Sequence, residues 1–345
     1  MNIIQAMNYS FLSRFSKNRH SNKIWRLLQH LRSHPIFRVA RLDIYSPTTE
    51  PRQLIVVFGQ AHTVWTGARI GNRERDKIVS CQSRLCSYYA YFQQFHGLTQ
   101  FGGEGLYEGL ETSFSDRLCF QLYEQIDNRL GIKKPIALEK LSATARRILD
   151  QLGREWHSAL RSPADPEKIQ LYAAAVSGMT LWNYLSHTGN PGIICRVYPV
   201  EGERAYHQVL KTIHHLGGRL QKLEDSYEMR VIRQTGRVEN ERAAQTLRHY
   251  NALAQEFNRI IGSDIRERAT LEILKQKAEQ EGVVVFTMGI AHRKNYFALL
   301  SEYLSDSRIA FVFVTPPELR VNLWMALGLP LVLLIVLIAL GYWWQ

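Results

Sequence analysis

The sequence predicts an α/β (or α+β) fold: a mixed or parallel central sheet covered by helices, followed by one C-terminal transmembrane helix. Three observations predict it. Short β-branched apolar runs alternate with longer stretches of helical periodicity, the pattern of a layered α/β domain. Two of those runs close on the same G-x-A-H, in IVVFGQAH (Ile55–His62) and VFTMGIAH (Val285–His292). A single 22-residue run, Leu323 to Trp344, carries no charge.

Composition sets the outer bounds. A chain of 345 residues, 46% hydrophobic and 21% charged, can bury a sizeable core, which excludes wholesale disorder. One long apolar run excludes a multispan membrane protein. The four cysteines (Cys81, Cys86, Cys119 and Cys195) include no C-x-x-C, so they indicate neither a disulfide framework nor a zinc ribbon. They read as thiols in a reducing compartment.

Charge marks off the first segment. Residues 1–42 hold eight basic residues and no acid, so they carry +8 of the net +12. A near-neutral body with a basic arm argues against a nucleic-acid-binding protein, which spreads lysine and arginine over its fold. The arm has three readings: a contact for anionic headgroups or RNA, a transit-like peptide, or a solvated extension. Within it Ile24, Leu27, Leu28 and Leu31 fall at helical spacing after Ser21, which predicts a short amphipathic helix. Trp25 and the arginines beside it suit a bilayer interface.

Residues 43–318 read as one domain. Strands are expected at Leu54–Phe58, Leu98–Gly103, Ile193–Val200, Val283–Met288 and Ile309–Val314. The nearly continuous apolar runs LIVVF and VVVF are what a sheet covered on both faces requires. Helical patterns fill Asp76–Phe95, Ala143–Leu152, Lys168–Leu185, Arg204–His215, Asn240–Ile261 and Ile265–Gln280. The closing run, 323–344, spans the hydrocarbon layer of about 30 Å at 1.5 Å per residue. Trp324 at one end and Tyr342, Trp343 and Trp344 at the other form interfacial belts. The expected protein is therefore a single-pass membrane protein with a C-terminal anchor, its basic body on the cytoplasmic side.

The candidate site comes from strand ends, where ligands bind in open α/β sheets. His62 and His292 each follow a strand and a glycine, and histidine suits both proton transfer and metal ligation. Glu104, in GGEGLYEG, follows the second apolar run, and Glu201, in VYPVEGER, follows the third. A carboxylate closing a buried strand needs a reason, because an unpaired one is costly to desolvate. For Glu201 a plain helix N-terminal role fits equally well. Glu108 and Glu111 read as solvated.

Strand-G-x-x-H, a glutamate after each of two inner strands and a closing strand-G-x-x-H resemble the TraB / Tiki / erythromycin-esterase-like superfamily. The resemblance covers about Leu54–Val314. It places His62 and His292 at the two G-x-x-H positions, Glu104 at the glutamate of the second strand, and Glu201 more loosely at a third acidic position. Its arginine, on the helix before the last strand, falls on Arg268 of IRERATL, with Arg266 as the rival because Ala269 stands where Asp or Asn is expected. The resemblance implies two β/α halves facing a cleft, and hydrolytic, in some members metal-dependent, chemistry. On it His62, Glu104 and His292 hold a divalent metal (manganese, cobalt or zinc), Glu104 or Glu201 takes a proton from water, and Arg268 steadies the oxyanion.

The chain reads, on these grounds, as a membrane-anchored hydrolase of a peptide or small ester. The alternative is a non-catalytic protein that binds haem, a metal or a signalling peptide with the same residues. No H-E-x-x-H, G-x-S-x-G or Walker loop is present in the sequence, so zincin, serine-elbow and P-loop chemistries are excluded.

Overall fold

A computed structural model describes residues 23–61, 72–107, 113–159, 166–189, 196–261 and 264–319. Its centre is a six-stranded sheet in the order β1-β6-β2-β5-β3-β4. The strands are β1 (Arg41–Tyr45), β2 (Gln53–Gln60), β3 (Gln100–Tyr107), β4 (Arg196–Glu201), β5 (Val283–Gly289) and β6 (Ile309–Thr315). All neighbours run parallel except β1, which lies antiparallel on β6. The mixed sheet expected from the apolar runs is thus present. β1 is the strand the sequence concealed. Its RLDIY is short and sits at an edge, where one half-buried strand needs no apolar run.

Helices cover both faces. They are α1 (Lys23–Ser33), α2 (Asn72–His96), α3 (Ser113–Leu130), α4 (Leu138–Ala159), α5 (Pro166–Ala175), α6 (Gly178–Gly189), α7 (Glu203–Glu224), α8 (Tyr227–Thr235), α9 (Glu241–Ile261), α10 (Ile265–Glu281) and α11 (Arg293–Leu304). The expected helix over Lys168–Leu185 is two helices, α5 and α6, broken after Ala175.

Alternation along the central strands divides the core. Leu54, Val56 and Phe58 of β2 join Val285, Val312 and Val314 under α1, α2 and α4. Ile55 and Val57 join Phe286, Phe311 and Phe313 under α10 and α11. Successive residues of a strand point to opposite faces, so an unbroken apolar run is the signature of this double burial.

The amphipathic helix of the basic arm is α1, with a different partner from the one expected. Ile24, Trp25, Leu27, Leu28 and Leu31 are buried in the core cluster that contains α2, and the indole N–H of Trp25 donates to the Thr49 carbonyl at 2.7 Å. Burial of each such side chain contributes about 1.5–3 kcal/mol. Trp25 therefore faces protein, and the apolar side of α1 is not offered to a bilayer. Among the described residues no helix is long and apolar enough to cross a membrane, and the run 323–344 lies outside them.

Strand order and helix placement fix where a site can form. The chain leaving β2 continues into α2 on one face, whereas the chain leaving β5 continues into α11 on the other. β2 and β5 are adjacent and parallel, with Gln60 beside Gly289 at their carboxyl ends. Neighbouring strands whose connections leave on opposite faces open a crevice at that point.

Candidate functional site

Glu104 enters the crevice from β3 because the strand is irregular there. Pairing with β4 runs regularly from Gln100 to Gly103 and then slips, resuming at Tyr107 opposite Glu201. A slip of this kind re-aims the side chain that falls within it. Just before it, Gly102 sits where a Cβ would come within 2.3 Å of Val200 and 2.7 Å of Phe286, so only glycine lets β3 lie this close to its neighbours.

The Glu104 carboxylate is 10% exposed and held from several sides. Its Oε2 accepts the backbone N–H of Gly289 at 2.6 Å and the Gln60 amide at 3.2 Å. Its Oε1 lies 3.4 Å from Arg266 Nη2 and 3.4 Å from His292 Nε2. Gln60 is fixed in turn by Gln82 of α2, whose amide N–H groups donate to Gln60 Oε1 at 3.3 Å and to the Ala61 carbonyl at 2.7 Å. The Gln82 side-chain oxygen Oε1 accepts from the Gly178 N–H at 2.8 Å. The end of β2 is thereby tied to α2 and to the start of α6.

His292 arrives from the opposite side of β5, on the 3₁₀ turn Ile290–His292 that leads into α11. It is buried, and its Nδ1 lies 2.6 Å from Oε1 of Glu267, a fully buried carboxylate in the first turn of α10. Asn295 donates to the same oxygen at 2.9 Å. Burial alone would lower the pKa of His292, but the Glu104 and Glu267 carboxylates outweigh it and raise the value to about 9. At neutral pH the ring is an imidazolium between two acids.

Several expected residues land elsewhere. Arg268 does not reach the crevice: its guanidinium bonds Asp264 at 3.0 Å and Glu302 at 2.6 Å on the surface, and those pairings raise its pKa. Arg266, the rival, is the arginine at Glu104. Arg266 and Arg268 flank Glu267 about 100° away on opposite sides. The buried stripe of Glu267, Thr270, Leu271, Leu274 and Ala278 extends through Thr270 toward the Arg266 side, and Arg268 lies on the side of Asp264 and Glu302. Glu201 ends β4, and Gly202 after it packs against Ala269 of α10, but the Glu201 side chain is outside the described atoms. His62, Glu108 and Glu111 lie outside the described residues.

Glu267, Gln60 and Asn295 were not singled out from the sequence. Glu267 did leave a signal, an acid at an apolar position of a helical stripe, where ionised residues are almost never found unpaired. Gln60 and Asn295 left none, since amides are common at strand ends and in first helical turns.

Chemically the cluster offers a fixed carboxylate, an imidazolium and a guanidinium within contact of one another. It also offers part of a metal site. Glu104 Oε1 and His292 Nε2 are neighbouring ligand atoms, and a carboxylate behind Nδ1 is the usual support of a metal-bound histidine. Among the described residues no group of three His, Cys, Asp or Glu side chains is gathered to hold an ion, so a metal here needs a ligand from outside them. No family model, no characterised protein and no solved structure matches the chain.

Proposed function

We propose that the protein is a hydrolase of a peptide or ester bond, working through Glu104, His292 and Arg266 at the β2/β5 crevice. One observation carries the reading: a nearly buried carboxyl group and a buried imidazole, delivered by separate strands, meet at 3.4 Å where an open sheet binds ligands. Glu104 takes a proton from the attacking water. The water oxygen bonds to the substrate carbonyl carbon, and Arg266 balances the charge that develops on the carbonyl oxygen. His292 gives its Nε2 proton to the departing nitrogen or oxygen as the scissile bond breaks. Closing of the 3.4 Å Glu104–His292 contact then returns the proton from the carboxyl group to the imidazole, restoring both groups. Acid–base catalysis of this kind contributes about 10²–10⁴-fold.

A divalent metal, with His292, Glu104 and His62 as ligands, would add Lewis acidity and make water nucleophilic at neutral pH. The resemblance to the TraB / Tiki / erythromycin-esterase-like superfamily supports the hydrolase reading. The units β2–α2–β3 and β5–α11–β6 are our reading of its two β/α halves, and Arg266 takes the place that Arg268 was expected to fill. The proposal retains 323–344 as a membrane tether, and removal of everything from Val321 onward is expected to release the protein from washed membranes.

The direct test is turnover of a panel of esters and peptides by the purified protein, with metal content and a Soret scan recorded on the same sample. Hydrolysis lost in Glu104→Gln supports the reading. Absence of turnover together with a Soret band, or with tightly held metal and no reaction, would replace it with a binding role.

A further inference from the structure

Glu267 has no place in the reaction just described, yet it is the most deeply buried charge of the cluster. Its exposure is 0%, and a carboxylate so placed must be compensated or it destabilises the fold. The compensation is specific. Oε1 is bonded by His292 Nδ1 at 2.6 Å and by Asn295 Nδ2 at 2.9 Å. The two partners are three residues apart, on the 3₁₀ turn and the first turn of α11, so one oxygen of α10 grips two points where the chain leaves β5.

We infer that Glu267, with Asn295, is a positioning residue that fixes the His292 ring so that Nε2 is the atom presented to Glu104. An imidazole can lie in its pocket in two orientations related by a ring flip. With Nδ1 on Glu267, Nε2 lies 3.4 Å from Glu104 Oε1. Flipped, the ring would set a carbon against Glu267 and another against Glu104, taking a charge-assisted bond from a group that water does not reach. Only one orientation gives each carboxylate a ring nitrogen, although Glu267 Oε2 is left without a hydrogen-bond partner. Asn295 prevents the alternative rescue, in which the carboxylate swings away with the ring, because it holds the same oxygen from a second direction.

The inference rests on the hydrolase reading for its purpose, but its test reads the ring directly. In the full-length protein, ¹⁵N-labelled at histidine and with His292 assigned by its loss in His292→Gln, the Nδ1 proton is expected far downfield and slow to exchange. Glu267→Gln keeps the side-chain shape and removes the charge. That signal is expected to move upfield and its exchange with water to speed up at least tenfold, while the backbone amide spectrum keeps its dispersion. Asn295 is only partly buried, and Asn295→Ala is expected to give a smaller change in the same direction; it carries the test if Glu267→Gln does not fold. An Nδ1 proton unchanged in position and exchange in either folded variant overturns the proposal. A ring that responds in a protein with no turnover leaves the positioning role standing and removes the hydrolase reading instead.

Discussion

Two buried ionic clusters can be compared in this protein, and they are built in opposite ways. Beside a cavity of about 640 Å³ between α3 and α6, Asp127 lies 2.5 Å from Lys134 Nζ and accepts the Tyr184 hydroxyl at 3.0 Å. Lys134 also sits 4.2 Å over the Tyr184 ring. One acid meets one base only a few residues along the chain, and a single phenol closes the group; burial and Asp127 together push the Tyr184 pKa up. The crevice cluster is instead collected over 185 residues, measured from Glu104 to the Gly289 N–H, and places two acids around one imidazole. Lys134 and Asp127 neutralise each other through Asp127 Oδ2, with Oδ1 left without a hydrogen-bond partner, and stability accounts for the pairing. Glu104 and Glu267 are two acids brought to one imidazole from β3 and α10, an arrangement that stability alone does not require. Such conflicts collect at functional sites.

The largest expected effect falls on the residue shared by both acids. His292→Gln should lower any turnover by about 10²–10⁴-fold. It should also destabilise the fold by about 3 kcal/mol, because Glu267 loses its counter-charge, as denaturant titration would record. Lys134→Met separates the two clusters. Stranding Asp127 should cost about 3 kcal/mol of stability with turnover kept. A turnover loss beyond the loss of folded protein would mean that the helical cavity belongs to the site. Gly102→Ala should cost about 1–3 kcal/mol by overpacking, and a neutral result would show that β3 has room to shift.

The pH dependence follows from His292. Its pKa in the fold, about 9, lies above the ordinary 6.5. The stabilisation is therefore complete below pH 6.5 and is lost as pH rises through 9. Unfolding midpoints from pH 6 to 10 should fall across that window in the wild type and lose that component in His292→Gln. The smallest effect is a contrast between neighbours. Arg268→Lys, at an exposed surface pair, should change stability by less than about 1 kcal/mol and leave turnover alone. Arg266→Lys should impair turnover, because a point charge does not replace a planar fork.

How far the sequence could be read follows the same division between local and long-range causes. The β2, β5 and β6 runs were plain because a sheet buried on both faces needs uninterrupted apolar residues. His292 and Glu104 were legible because glycine and a strand end flagged them. Arg268 was misplaced because a short pattern match does not register which side of α10 meets the crevice: Glu267 lies in the buried stripe, and Arg266, on the Thr270 side of it, is the arginine that reaches Glu104. The edge strand β1 and the helices α3, α8 and α11 were missed. β1 is short, and α11 buries only Tyr296, Leu299, Leu300 and Leu304, which leaves a weak period. Trp25 read as a membrane residue because an amphipathic face looks the same whether its partner is lipid or α2.

The central claim is that the crevice cluster does chemistry and the helical cluster does not. It is tested most directly by turnover and unfolding free energy measured side by side in Glu104→Gln, on the best substrate of an ester and peptide panel. Glutamine can still accept the Gly289 N–H, but it leaves Arg266 and His292 one counter-charge short. The fold should therefore lose about 1–3 kcal/mol, while turnover per folded molecule falls by at least about 10²-fold. Hydrolysis at the wild-type rate, with the stability lowered, would make Glu104 a structural acid and contradict the account.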